Sequence, residues 1–195
     1  AENLRTTKYA DGTAIAQGSS TSTTMGYWYY PNNDSINKST YGLLYNWKAV
    51  MGTSSSSSSN PSGVQGVCPT GWHVPSDAEW TQLIGYVSTE VSYHCGGTST
   101  YIAKALASTT GWSSDPHTCA VGNDSSANNA TGFGVLPVGY YYGFYDDFGY
   151  NAYYWPATEY DGNKSYYLLL YYGNARVCRG NYAKWLGCSV RCLSD

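Results

Sequence analysis

Six cysteines, Cys68, Cys95, Cys119, Cys178, Cys188 and Cys192, constrain what this chain can fold into more than any other feature. Their number is even, and they sit in a sequence rich in Ser, Thr and Asn with only two methionines. That combination fits an oxidising compartment and a disulfide-stapled frame better than the cytosol. Three disulfides are expected, and six cysteines can be joined in many ways, so their positions alone do not fix the pairing.

The chain has 195 residues and no abrupt shift in composition, which predicts one domain spanning 1–195. Charged residues make up only 12 %, so solubility must come from uncharged polar groups. With a net charge of -3 and ten Lys and Arg scattered singly, no basic stripe can track a phosphate backbone or an anionic bilayer surface. Nucleic acid and direct membrane insertion are therefore excluded as partners, since no stretch approaches the ~20 apolar residues of a membrane span. The opening Ala1-Glu2-Asn3 lacks a charged-then-apolar leader, which predicts that any export signal was removed or lies outside this sequence.

Turn chemistry dominates the first 60 residues: Asp11-Gly12, Gly18-Ser19-Ser20, Pro31-Asn32-Asn33-Asp34 and the serine run 54–59. Aromatic sequence on both sides of the serine run makes it an excursion within the domain. Tyr41 to Trp47 is apolar and aromatic, and its periodicity is compatible with a buried strand or a short helix. Pro75-Ser76-Asp77-Ala78-Glu79 is a helix start: Ser76 can cap the amide of Glu79 while Glu79 reaches back, and Trp80, Leu83, Ile84 and Val87 follow at helical spacing. A second helix is predicted over Tyr101 to Ala107. From Gly132 onward the pattern becomes short runs, Gly134 to Pro137, Tyr166 to Tyr172, Ala175 to Arg179 and Gly187 to Cys192, with Gly173-Asn174 and Gly180-Asn181 as turns between antiparallel strands. Helices followed by a strand meander predict an α+β domain.

Six segments together resemble the Fibrobacter succinogenes major paralogous (FISUMP) domain, a family of microbial surface proteins. They are Ala1 to Thr7, Tyr41 to Trp47, Cys68 to Ser76, Gly132 to Gly139, Trp155-Pro156-Ala157-Thr158-Glu159, and Ser189-Val190-Arg191-Cys192, in that order along the chain. The resemblance implies a C-type-lectin-like fold: two helices packed on a small antiparallel sheet with long loops. Some proteins of this fold are targets of diversity-generating retroelements, whose adenine-directed mutagenesis rewrites a C-terminal variable region. Thirteen of the 22 tyrosines lie in the 43 residues from Tyr140 to Tyr182, interleaved with Asn, Asp and Gly. Asn and Tyr codons differ by a single adenine, so this composition suits such a role.

Tyrosine provides rigid contact area and a hydroxyl that donates and accepts, at low cost in side-chain entropy. A core cannot absorb Tyr140-Tyr141-Tyr142 or Tyr153-Tyr154, because neighbours on an extended strand point to opposite faces. The alternative is that these rings only form cross-strand aromatic pairs. The residues expected on an exposed binding face are Tyr141, Tyr142, Phe144, Tyr145, Asp147, Tyr150, Asn151, Tyr153, Arg176, Asn181, Tyr182 and Trp185. Trp72, Phe133 and Trp155, which lie within the resembling segments, and Trp80 and Trp112 are expected in the core.

The family resemblance implies a Cys68–Cys192 bridge. Cys178 and Cys188 flank Gly180-Asn181 on strands expected to be adjacent, which predicts a second bridge and leaves Cys95 to pair with Cys119. A rival arrangement places His94, Cys95, His117 and Cys119 around zinc. Formylglycine-generating enzymes share the lectin-like fold and use paired cysteines near the C-terminus, a pair that Cys188 and Cys192 would have to mimic. No general base lies near them in sequence, and neither a phosphate loop nor a Gly-x-Ser-x-Gly elbow nor a His-Glu-x-x-His helix occurs. The triplets of calcium-dependent sugar binding are likewise missing. The expected function is non-enzymatic recognition, without a cofactor, of a protein or glycan on another cell or virus, at the cell surface or outside the cell. The alternatives are the oxidoreductase just described and a fixed glycan-binding attachment module.

Overall fold

The computed structural model describes residues 2–195. In chain order it contains β1 (Ala16–Gln17), β2 (Tyr27–Tyr29), α1 (Lys38–Tyr41), β3 (Leu44–Tyr45), α2 (Trp47–Met51), β4 (Trp72–His73), α3 (Asp77–Thr89) and α4 (Ala103–Leu106). Six strands follow: β5 (Tyr140–Tyr141), β6 (Tyr145–Asp146), β7 (Asn151–Tyr154), β8 (Lys164–Tyr171), β9 (Cys178–Ala183) and β10 (Leu193–Ser194). The class is α+β, as the order of patterns predicts.

The helix start at Ser76 forms both halves of a capping box. The Glu79 amide donates to Ser76 Oγ at 3.2 Å, and the Ser76 amide donates to Glu79 Oε2 at 2.9 Å. Trp80 and Val87 are buried and Leu83 and Ile84 pack beside them, so the helical spacing of these residues is a core stripe. The expected second helix shrinks to the single turn α4. Its continuation is captured by a strand-like bridge: the Val135 amide donates to the Leu106 carbonyl, and the Ser108 amide donates to the Val135 carbonyl. Tyr41 to Trp47 resolves into the end of α1, the fully buried β3 and the start of α2. Asn46 marks the change, since its Oδ1 accepts from the amides of Ala49 and Tyr27.

The largest sheet is the antiparallel β7–β8–β9, with Tyr153 opposite Leu169 and Tyr167 opposite Gly180. Gly180-Asn181 is therefore not a turn but lies within β9. A Cβ on Gly180 would come within 2.6 Å of Tyr167 Oη, so glycine here makes room for a ring rather than for a reversal. One face of this sheet, with Tyr154, Leu168 and Leu170, packs on Trp80 and Val87 of α3. Arg179 of β9 pairs with Asp77 at the start of that helix. The smaller pairings are β1–β2–β3, whose first pair is parallel, β5–β6 and β4–β10.

Residues 186–192 are all buried, and from Gly187 the chain pairs strand-like with these pieces. Cys188 exchanges hydrogen bonds with Tyr45, and Gly187 exchanges them with Tyr141. The Trp155 amide donates to the Ser189 carbonyl, and the Leu4 amide donates to the Val190 carbonyl. The segment thereby joins the first sheet, the β5–β6 hairpin and β7.

Two disulfides are present, Cys68–Cys192 and Cys95–Cys119. The expected Cys178–Cys188 bridge is absent, and both thiols are free. The strand after β9 does not pair with β9; it inserts beside β3, β5 and β7, which sends Cys188 into the core and leaves Cys178 paired across to Leu169.

Cys68–Cys192 spans 124 positions and anchors the two strands β4 and β10 beside it. The Cys68→Ser, Cys192→Ser double variant is expected to lose about 5 kcal/mol of unfolding free energy in urea denaturation, the loop-closure value for so long a span.

Candidate functional site

The other face of β7–β8–β9, opposite α3, carries Tyr153, Tyr167 and Tyr182, and Tyr140 and Tyr142 of the β5–β6 hairpin lie against it. Period-two alternation makes this face: in β8 Leu168 and Leu170 are buried towards α3, while Tyr167 and Leu169 point the other way. The rings form a continuous network. Tyr153 meets Tyr167 at 5.4 Å and Tyr140 at 5.2 Å between ring centroids. Tyr140 meets Tyr142, and Tyr142 meets Phe144, Tyr182 and Trp185, the last at 4.4 Å. Most of these pairs are edge-to-face, the geometry aromatic quadrupoles favour. Phe144, at the hairpin tip, is 58 % exposed and Tyr182 is 37 % exposed.

Of the expected face residues, Tyr142, Phe144, Tyr153, Tyr182 and Trp185 come together in this network. Tyr141 does not: it is buried, stacks on Tyr29 at 4.1 Å and bonds to the backbone of Gly187. Strand alternation turns Tyr141 inward because Tyr140 and Tyr142 face outward. Tyr145 follows it and tilts against Tyr141. Asn151 is also buried, its Nδ2 donating to Asp147 Oδ2. Tyr150 is exposed but packs on Tyr172, apart from the main network. Arg176 sits over the Tyr101 ring in the β8–β9 connection, and Asn181 is half-buried in β9 opposite Tyr166. Tyr140, Tyr167 and Asp146 belong to the face and were not expected there; the alternation around Tyr140 to Tyr142 and the pairing Tyr167–Gly180 carry the signal for the first two. Among the expected core residues, Trp72 is instead 39 % exposed, because on β4 it is His73 that turns inward.

Electrostatically the face is acidic at one corner. Burial, then Asp147 and Asp146, push Tyr140 up to about 12. Burial and then Asp147 also raise Tyr153. Burial raises the Asp147 carboxyl itself, against a hydrogen bond from Asn151 that lowers it, and Asp146 adds to the rise. Burial raises the Cys188 thiol strongly, and it raises Cys178 against the opposing charge of Arg176. Neither thiol is thereby activated as a nucleophile.

The cysteine pair needed for the oxidoreductase reading is not assembled, since Cys192 is bonded to Cys68 and Cys188 stands alone in the core. The zinc arrangement is overturned in the same way, because Cys95 and Cys119 spend their sulfurs on each other. His94 Nε2 faces the Ser88 carbonyl instead, and His117 Nδ1 faces Asp115.

A second constellation lies in a cleft of about 540 Å³ lined by Trp72, Gln65 and Leu193. There the buried His73 ring sits between Glu79 Oε1 at 2.8 Å from Nε2 and Asp195 Oδ1 at 2.7 Å from Nδ1. Burial lowers the His73 pKa, but hydrogen bonds and charges from Glu79 and Asp195 outweigh it, and the net shift is upward. A raised folded-state value means that the imidazolium stabilises the fold. That contribution is complete below the unfolded value of about 6.5 and is lost as pH rises through the folded one. Thermal unfolding followed between pH 5.5 and 9 is expected to show Tm falling across this window, and the fall is expected to shrink in His73→Gln. Titration with a thiol reagent is expected to find two thiols per chain in denaturant without reductant, and in the folded protein at most Cys178.

Comparison with curated proteins and with solved structures finds no match. The sequence model of the Fibrobacter succinogenes major domain matches residues 1–194. That match takes in both disulfides, the capped helix and the tyrosine-rich strands, and the chain belongs to the Fibrobacter succinogenes major domain family.

Proposed function

We propose that this chain is a single non-catalytic recognition domain, displayed outside the cytoplasm, that binds a protein or glycan through the aromatic face of β7–β8–β9 and the β5–β6 hairpin. The observation that carries the reading is the continuous ring network on the sheet face opposite α3, with Phe144 and Tyr182 open to solvent. Exposed aromatic patches of this kind mark interaction sites, and rings locked edge-to-face by their neighbours bind with little further loss of side-chain freedom. Two disulfides support an extracytoplasmic setting, and no described helix is long and apolar enough to cross a membrane.

The finer reading is a C-type-lectin-like frame whose face is varied by a diversity-generating retroelement. Support comes from the division of labour between backbone and side chains. The hydrogen bonds that hold residues 186–192 to β3 and β5 are backbone bonds, so they survive substitution of Tyr142, Phe144, Tyr182 or Trp185. A near-identical template repeat, with adenines at these codons and a reverse transcriptase beside it, is the genomic observation expected for this reading.

The binding test is a screen of the 195-residue chain on glycan and random-peptide arrays, repeated with the Phe144→Ser, Tyr182→Ser double variant. Bound ligands are expected to be lost in the variant while its stability stays within about 1 kcal/mol of the parent, as for exposed positions. Ligands that bind both proteins equally, or no ligand on either array, would overturn the reading.

A further inference from the structure

We propose that the Asp146–Asp147 corner of the aromatic face receives a lysine or arginine side chain of a partner protein. The inference rests on that face being the binding surface and names the chemistry it selects.

The corner is built, not incidental. The Asp147 amide donates to Asp146 Oδ1 at 2.8 Å, which holds the two side chains at one turn, and Asp147 adopts φ 58° to make that turn. The turn presses on Gly139, where a Cβ would stand 2.2 Å from the Asp146 carbonyl oxygen. Tyr140 Oη lies 3.4 Å from Asp146 Oδ2, so the carboxylates border the ring network directly.

No cation among the described residues answers these charges. Among the described residues the ion pairs involve Glu2, Glu79, Asp195, Asp115, Asp77 and Glu159, and neither Asp146 nor Asp147. Lys184, near Trp185 at the opposite edge, is spent on Glu159 at 2.6 Å and on the Trp47 ring. Arg176 lies over Tyr101.

A third acceptor is also unanswered. Asn151 is only 7 % exposed and its carboxamide is turned into the corner, with Nδ2 on Asp147 Oδ2 and 3.4 Å from Tyr153 Oη. Its Oδ1 has no donor. Adjacent carboxylates repel and a buried acceptor without a donor costs free energy, so the corner is short of positive charge and of N–H donors. A lysine or arginine supplies the charge and donates N–H groups to the two carboxylates, and its apolar stem lies well on Tyr140, Tyr142 and Tyr153 with the cation near their faces. An anionic or neutral sugar supplies the stacking but not the charge.

The test uses the full 195-residue chain and acetylated, amidated tripeptides: Gly-Lys-Gly, Gly-Arg-Gly and Gly-norleucine-Gly, which keeps the stem without the charge. Aromatic-ring NMR signals of Tyr140, Tyr142 and Tyr153 report binding. The cationic peptides are expected to bind about tenfold tighter than the norleucine peptide, a charge-assisted contact over a ring being worth that much. The Asp146→Asn, Asp147→Asn double variant is expected to remove the difference; asparagine tolerates positive φ, so the turn survives, which unchanged backbone spectra elsewhere would check. Equal binding of all three peptides at these rings would overturn the inference and leave the aromatic face standing. Shifts with calcium chloride but none with any peptide would overturn it in favour of an inorganic cation, and shifts confined to other residues would overturn it together with the aromatic face.

Discussion

The backbone hydrogen bonding of residues 186–192 is the interaction on which the rest of this structure depends. A buried extended segment must find partners for its amides and carbonyls, because an unpaired backbone group away from water costs about as much as a lost hydrogen bond. Here the partners come from β3, β5, β7 and the N-terminal Leu4, four pieces of chain far apart in sequence. Shifting the segment by one residue would place the hydroxyl of Ser189 where Cys188 or Val190 now packs in the apolar cluster, so register and topology are set together. The Cys68–Cys192 bridge then pins the end of the segment beside β4 and β10.

The segment also gives a physical account of the family's recurring sequence elements. Arg191 is buried with no carboxylate partner among the described residues. Its Nε donates to Asn3 Oδ1 at 2.9 Å, its Nη1 to the Phe133 carbonyl, and its Nη2 to the Gly134 carbonyl at 2.8 Å, and its guanidinium lies 4.5 Å from the Phe133 ring. Asn3 Oδ1 accepts from Tyr154 Oη as well, and Asn3 Nδ2 donates to the Tyr41 carbonyl. A charge in the interior is tolerable only when such bonds are all made, and removing one partner strands the rest. The N-terminal element, the Tyr41 element, the Gly132 element and the Ser189 element thus meet at one guanidinium. Trp155 and Tyr45 join the same assembly, since Trp155 Nε1 donates to the Tyr45 carbonyl.

What could be seen in the sequence was what is decided locally. The capping box needs only Ser76 and Glu79, three residues apart, and it forms. The alternation that divides Tyr140 and Tyr142 from Tyr141 is also local, and it predicts that about half the rings face inward without saying which half. Long-range pairing was the part that could not be seen. The chain after β9 turns at Lys184 to Leu186 and leaves β9 altogether, so Cys178 and Cys188, ten positions apart, end on different elements. Gly180-Asn181 has the composition of a turn but serves β9, because the Tyr167 ring across the strand needs the space of a missing side chain. His73 between Glu79 and Asp195 depends on the β4–β10 pairing, which no local pattern announces.

The separation of frame from face follows from the same geometry. In β8 Leu168 and Leu170 turn towards α3 and are closed off, and the tyrosines of the opposite sheet face pack mainly on one another. Edge-to-face contacts among Tyr140, Tyr142, Tyr153 and Tyr167 hold the rings without requiring any of them for a strand's backbone bonds. A surface with so few charges also makes each unpaired one count, because little else nearby contributes to the local potential. Asp146 and Asp147 would be unremarkable on a chain studded with lysines. On this one they stand at the edge of an aromatic sheet face whose neighbouring cations are already engaged, and that contrast gives the face a preferred sign of partner as well as a shape.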